Sequence, residues 1–147
     1  MFVDHGSLFD VDDAIAIDLV AQESEDRRAW LRRVFRAHQG EMPIVARASG
    51  AEDAPLLGYA ILEYSFFDQG FLSMLYVAER ARRLGVASTL VNFAENLCQR
   101  PKLFSSTNLS NAVMHALFAR LRYTSCGIVT GLDEGDPELF YVKKLRH

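Results

Sequence analysis

Phe71-Leu72-Ser73-Met74-Leu75-Tyr76-Val77, then Ala78-Glu79-Arg80-Ala81, then Arg82-Arg83-Leu84-Gly85-Val86-Ala87-Ser88, is the stretch on which the fold turns. Its first seven residues are almost wholly apolar and follow the turn residues Phe67-Asp68-Gln69-Gly70, the pattern of a buried strand. From Leu84 the period changes, because Val86, Leu90, Phe93, Ala94 and Leu97 fall on one face of a helix that ends before Pro101. A strand that hands over to a helix through an arginine-rich turn exposes backbone N–H groups at a positive helix terminus, and such a site attracts phosphate. Gly85 and Ala87 keep bulk away from that backbone, while Arg82 and Arg83 add charge-assisted hydrogen bonds. On its own the tetrad Arg80 to Arg83 also reads as a solvated turn.

Upstream, Ile15 with Leu19 and Ala16 with Val20 repeat at helical spacing between Asp12 and Gln22. Ser24 caps a second helix with the acidic first turn Glu25-Asp26 and the stripe Trp30, Leu31, Val34, Phe35 and His38, running to Gln39. Ile44–Ala48 and Leu57–Ser65 flank a polar loop and form a hairpin, so the strand at Phe71–Val77 completes an antiparallel meander. Downstream come a strand at Leu103–Thr107, a helix capped by Ser110 or Asn111 that carries Val113, Leu117, Phe118 and Leu121, and closing strands at Ser125–Thr130 and Glu138–Leu145. The order is α-α-β-β-β-α-β-α-β-β. The helix between Phe71–Val77 and Leu103–Thr107 makes a crossover, so those two strands run parallel.

The 147 residues suit one domain spanning residues 1–147. A net charge of −3 gives no general attraction to a nucleic-acid backbone. Asp4, Asp10, Asp12 and Asp13 stand where a signal peptide would be basic, and no apolar run approaches the ~20 residues of a membrane span. Cys98 and Cys126 are too few for a disulfide framework, and no ligand spacing indicates a metal. These features point to the cytoplasm, with neither nucleic acid nor membrane as partner.

The turn and helix resemble the GNAT superfamily of acyl-CoA-dependent N-acetyltransferases, whose cradle reads Arg/Gln-x-x-Gly-x-Gly/Ala after a Leu-x-Val strand end. Arg82, Gly85 and Ala87 match it, as do Leu75 and Val77. Asn111 to Tyr123 is similar to the family's Asn-x-x-Ala-x-x-Leu-Tyr-x-x-x-Gly-Phe helix, and the resemblance covers roughly Leu57 to Leu145. It implies an α/β (α+β) fold with a mixed, mostly antiparallel sheet of six to seven strands and helices on both faces. It further implies acetyl-CoA as co-substrate and direct transfer of acetyl to a small-molecule or peptide amine. Backbone groups of Leu75, Tyr76 and Val77 would pair with the pantetheine arm, Arg82, Arg83, Leu84, Gly85, Val86, Ala87 and Ser88 would hold the diphosphate, and Asn111 and Phe118 would lie along the arm near the thioester. Asn111 is equally an ordinary helix cap. Closing strands in this fold class often pair between subunits, so a homodimer is expected as well.

Two departures bear on the chemistry. Phe118 stands where many members carry a Tyr acid, and Ser106 stands where some carry a Glu five residues before the Asn. A thiolate leaving group tolerates the loss of an acid at a cost of about 2 kcal/mol at pH 7, since a thiol titrates near ~8.5. An amine titrating near ~10.4 still needs a base, and Glu63 is the candidate, with Ser106 holding a water. A non-catalytic acyl-CoA-binding module of the same fold is the alternative, favoured by those same departures. Trp30 and Phe35 read as core or as an acceptor wall, and the acids Asp133, Glu134, Asp136 and Glu138 as a solvated turn or a cation-binding rim.

Overall fold

The structure, a computed structural model, describes residues 1–37 and 40–145; His38 and Gln39 of the sequence reading lie outside the described residues. Seven strands, β1 (Phe2–His5), β2 (Met42–Arg47), β3 (Leu56–Phe66), β4 (Gln69–Val77), β5 (Lys102–Asn108), β6 (Thr124–Val129) and β7 (Glu138–Lys144), form one sheet. Its order is β1-β2-β3-β4-β5-β7-β6. Every neighbouring pair is antiparallel except β4 and β5, which are parallel across the crossover helix. The helices are α1 (Val11–Ile17), α2 (Leu19–Glu23), α3 (Glu25–Ala37), α4 (Val86–Leu97) and α5 (Ala112–Arg120).

The sheet is buried on two sides because β2 and β3 are apolar at consecutive positions. Ala60 and Leu62 of β3 join Leu72, Val86, Leu90, Val91, Ala94 and Phe118 in the core under α4 and α5. Tyr59 and Ile61, pointing the other way, join Val11, Ala14, Ala21, Leu31, Val34 and Phe35 under α1–α3. Phe35 is fully buried against Tyr59, which makes it core; Trp30 is half-buried on the same cluster. Among the described residues no helix is long and apolar enough to cross a membrane.

Two features differ from the sequence reading. β1 is an added edge strand whose side chains are mostly exposed, so it carries no burial pattern to read. The helix expected over Asp12–Gln22 is broken at Asp18, whose extended backbone (φ −91°, ψ 103°) ends α1 and whose carboxylate caps α2 through Val20 N and Ala21 N. Ser24 caps α3 as expected, accepting from Arg27 N at 3.2 Å.

Candidate active site

β4 and β5 share only three rungs, Gly70 with Leu103, Phe71 with Phe104 and Leu72 with Ser105. At the next residue β4 carries a bulge: Leu72 lies opposite Leu62 and Met74 opposite Ile61, so Ser73 has no rung. A bulge bends its strand and sharpens the twist. Beyond it β4 follows β3 alone, with Leu75, Tyr76 and Val77 opposite Ala60, Tyr59 and Gly58, while β5 continues to Asn108 along β7. A slot therefore opens between Met74–Val77 and Ser106–Asn108. Its β4 wall is a strand edge with no strand against it among the described residues.

The slot leads to the start of α4. Arg80 fastens the intervening turn, its Nη2 donating to Leu56 O at 3.2 Å, and all three arginines, Arg80, Arg82 and Arg83, are exposed. Arg82 donates through Nε to Val77 O at 3.3 Å and lies 5.8 Å from the centre of the Tyr76 ring. Arg83 (φ 66°) and Gly85 (φ 80°) both take left-handed backbone. α4 has no side-chain cap, and its first internal rung is Thr89 N to Gly85 O at 3.1 Å, so the N–H groups of Val86, Ala87 and Ser88 face outward. A Cβ on Gly85 would meet nothing within 4 Å. Glycine is thus favoured there by its φ, and the space in front of the helix end is open. The side chain of Val86 is buried and that of Leu84 exposed, so the backbone is what Val86 can offer a ligand.

Gly58, which the sequence reading passed over, sets the depth of this corner. A Cβ there would lie 2.7 Å from Tyr76 O, 3.1 Å from Val86 Cγ1 and 3.2 Å from Leu90 Cδ1, so only glycine lets the first turns of α4 close on β3 and β4. The residue that could have signalled it, a glycine inside an otherwise largely apolar strand, is visible in the sequence.

On the opposite face the α1–α2 corner is tied to the slot. Asp18, fully buried, receives Tyr59 Oη, Arg27 Nε and Nη2 on Oδ2, and Val20 N and Ala21 N on Oδ1. Burial and the bond to Asp18 push the Tyr59 hydroxyl far above its ordinary range. Leu19 N, freed by the break at Asp18, donates to Tyr76 Oη at 3.0 Å, and Arg27 lies 5.9 Å from the Tyr76 ring. Tyr76, a slot residue on β4, is thereby fixed from both ends.

The remaining sequence candidates separate. Asn111 caps α5, accepting from Met114 N at 3.2 Å, and is exposed. Phe118 is a correction: it is fully buried, stacked on Tyr141 at 4.6 Å and packed on Tyr123 at 5.5 Å, so it has no surface to present to a coenzyme arm. Glu63 lies opposite Phe71, where β4 is still paired with β5, and accepts a hydrogen bond from Ser65 Oγ at 2.5 Å. Ser106, the first residue of β5 past the last rung with β4, donates to Glu138 Oε2 at 2.7 Å. Of the other acids before β7, Asp133 accepts from Asn108 Nδ2 and Asp136 from Ser110 N and Oγ, which fastens the loop to the end of β5. A separate hollow of about 800 Å³, lined by Glu95, Arg120, Arg122, Lys143 and Lys144 among others, lies at the far end of α4 from the cradle.

A slot between parting parallel strands that runs onto an uncapped helix start after Arg82-Arg83-Leu84-Gly85 is the arrangement expected of one family. The profile of the acetyltransferase (GNAT) family matches residues 10–123. The chain belongs to that family. A GNAT-family acetyltransferase of Bacillus cereus is similar to it over 99% of this chain and 98% of its own, at 31% identity with a TM-score of 0.84. This GNAT chain also shares its fold with a ribosomal-protein-alanine N-acetyltransferase of Brucella melitensis (23% identity, 99% and 100% covered, TM-score 0.73). A further match in fold is an aminoglycoside 6'-N-acetyltransferase complexed with coenzyme A (11% identity, 98% and 97% covered, TM-score 0.76). No curated protein sequence matches the chain.

Proposed function

We propose that the chain is a single-domain N-acetyltransferase that moves acetyl from acetyl-CoA directly to the amine of a small molecule or peptide. The observation that carries the reading is the parting of β4 from β5 at the Ser73 bulge, which leaves the edge of Leu75–Val77 open in line with the bare N-terminus of α4. A pantetheine arm is an extended chain of amides, and an open strand edge pairs with such a chain as it would with a strand. A diphosphate suits the N–H groups of Val86, Ala87 and Ser88, with Arg82 and Arg83 beside them and the open space at Gly85 before them. Asn111 would reach the arm only with the part of its amide not engaged by Met114 N.

When bound, acetyl-CoA supplies an activated acyl group whose sulfur is a tolerable leaving group. The chain's own tasks are to orient the thioester carbonyl, stabilise the oxyanion with backbone N–H groups near Val77, and relieve the acceptor of its protons. Phe118 cannot donate a proton, so the sulfur departs as thiolate, at the cost of about 2 kcal/mol at pH 7 noted above.

A cytoplasmic setting fits a chain with only two cysteines, Cys98 and Cys126, too few for a disulfide framework. The edge strand β6, exposed at all six residues, is where a second copy would pair, and sedimentation at micromolar concentration tests that. The binding half of the proposal is tested by melting with added coenzyme A. At a hundred times Kd, a ligand that binds only the native state stabilises by about 2.7 kcal/mol, a rise of roughly 5–11 °C for a domain of this size. No rise at millimolar coenzyme refutes it.

A further inference from the structure

We propose that Glu138 is the general base of this enzyme, delivered to the slot from β7 and held there by Ser106; the inference rests on the acetyltransferase reading above. Ser106 is the first β5 residue beyond the rungs shared with β4, so its side chain stands at the point where the slot opens. It faces away from the core under α4 and α5, because its neighbours Leu103, Ser105 and Thr107 are the buried ones on β5. β7 runs antiparallel beside β5 with Ser106 opposite Phe140 and Asn108 opposite Glu138, which puts Glu138 diagonally across from Ser106 on that same face. The contact is real hydrogen bonding, Ser106 Oγ to Glu138 Oε2 at 2.7 Å, between two half-buried side chains. A carboxylate on β7 thus arrives beside the β5 position whose own side chain is too short to be a base.

Ser106 occupies only one carboxylate oxygen, and Oε1 has no hydrogen-bond partner among the described residues. Neighbouring groups do not compete for it. Asn108, directly opposite, spends its amide on Asp133 Oδ2 and Asp136 O. Val129 of β6, the partner of Glu138 on its other side, cannot titrate. The charged groups nearby are Asp133 and Asp136 of the preceding loop, which are bonded to Asn108 and Ser110. Glu63 is the rival carboxylate, but it sits on β3, with β4 between it and the slot, opposite a residue of β4 that is still paired to β5.

An acceptor enters as an ammonium ion. Oε1 accepts one of its protons; the freed lone pair forms the C–N bond to the acetyl carbonyl carbon, and the C–S bond breaks as the thiolate leaves. The nitrogen sheds a second proton after attack, and one of the two ends on the departing sulfur while the other goes to solvent. Glu138 is the catalytic residue in this scheme, and Ser106 is a positioning residue acting through it.

The test is thiol release from acetyl-CoA with the best amine from a panel of polyamines, amino acids, aminoglycosides and short peptides, measured from pH 6 to pH 10 on Glu138→Gln, Ser106→Ala and Glu63→Gln. A positioned base contributes roughly 10²–10⁴-fold. Glu138→Gln is expected to lose kcat/KM by about that factor near pH 7, and to recover about tenfold per pH unit as solvent deprotonates the amine itself. Ser106→Ala is expected to lose less, with kcat falling and the melting rise given by coenzyme A unchanged. Wild-type rate and pH profile in Glu138→Gln, with its coenzyme-induced melting rise intact, overturn the assignment while leaving the acetyltransferase reading standing. Transfer of the pH-dependent loss to Glu63→Gln overturns it in favour of Glu63. A loss in Glu138→Gln accompanied by loss of the coenzyme-induced rise overturns it too, since the residue would then serve binding.

Discussion

Replacing Asp18 by Asn removes one charge and changes no volume, yet the structure makes it one of the most damaging substitutions available. Every group that approaches the carboxylate is a donor: two backbone N–H groups on Oδ1, and Tyr59 Oη with two guanidinium nitrogens of Arg27 on Oδ2. An Asn whose Oδ1 keeps the helix cap must turn its own NH₂ toward Arg27, donor against donor. Tyr59 can rotate its hydroxyl to accept, but Arg27 has no acceptor to offer. Asp18 is fully buried, so its new NH₂ has no water to turn to, and the stranded Arg27 keeps only 21% of its side-chain surface exposed. Removing one partner of a buried ion pair costs about 3–5 kcal/mol. At roughly 2–4 °C per kcal/mol for a domain of this size, the melting temperature should fall by about 6–20 °C. Urea unfolding should give the same energy with an unchanged m-value. Because Leu19 N holds Tyr76 from the same corner, the KM for acetyl-CoA should rise in the variant at a temperature where it is folded. A loss of under about 1 kcal/mol would refute the reasoning, since it would mean that Asp18 is hydrated or that Arg27 is held by something else.

Three further outcomes follow from the geometry. Gly58→Ala should destabilise by about 1–3 kcal/mol and weaken coenzyme binding together, because a Cβ 2.7 Å from Tyr76 O of β4 and 3.1 Å from Val86 Cγ1 of α4 must displace both the strand and the helix; urea unfolding and a coenzyme titration check both. Gly85→Glu, where the added side chain meets only open space, should cost no more than the ~1–2 kcal/mol of a left-handed non-glycine residue but should abolish the melting rise given by coenzyme A. Tyr59 and Tyr123 are both held neutral, by burial first and then by hydrogen bonds to Asp18 and Glu95. Their folded-state pKa values are raised, so the stability they contribute is complete below the unfolded value near ~10 and declines as pH rises above it. In an absorbance titration of the native protein these two of the five tyrosines should stay silent until the chain unfolds.

How much of this was legible in the sequence depended on whether the deciding information was local. The strand, turn and helix from Phe71 to Leu97 could be read because burial on both faces writes a continuous apolar run and an amphipathic helix writes a 3.6-residue period. The parallel pairing of β4 and β5 followed from the intervening helix alone. β1 could not be read, because an exposed edge strand needs no apolar alternation. Nor could the break at Asp18, which is paid back by partners 9 and 41 residues away, Arg27 and Tyr59. At the candidate site, the proposed cradle is one contiguous stretch, an arginine-rich turn before α4, so its local pattern could be read. Glu138 was hidden among the acids of a turn, since its proximity to Ser106 depends on the β5–β7 register, which no single segment encodes. Phe118 matched a family position by spacing, but the Tyr141 ring stacked on it comes from β7, which the pattern of one helix does not reveal.

The measurement that bears most directly on the whole account is amine-dependent release of thiol from acetyl-CoA by the purified wild-type chain. The account predicts release that requires both acetyl-CoA and an amine, with the acetyl group recovered on the amine nitrogen by mass spectrometry. Failure of every amine in the panel to raise release above the rate in buffer, in protein that coenzyme A demonstrably stabilises, would contradict it and leave a protein that holds the coenzyme without using it.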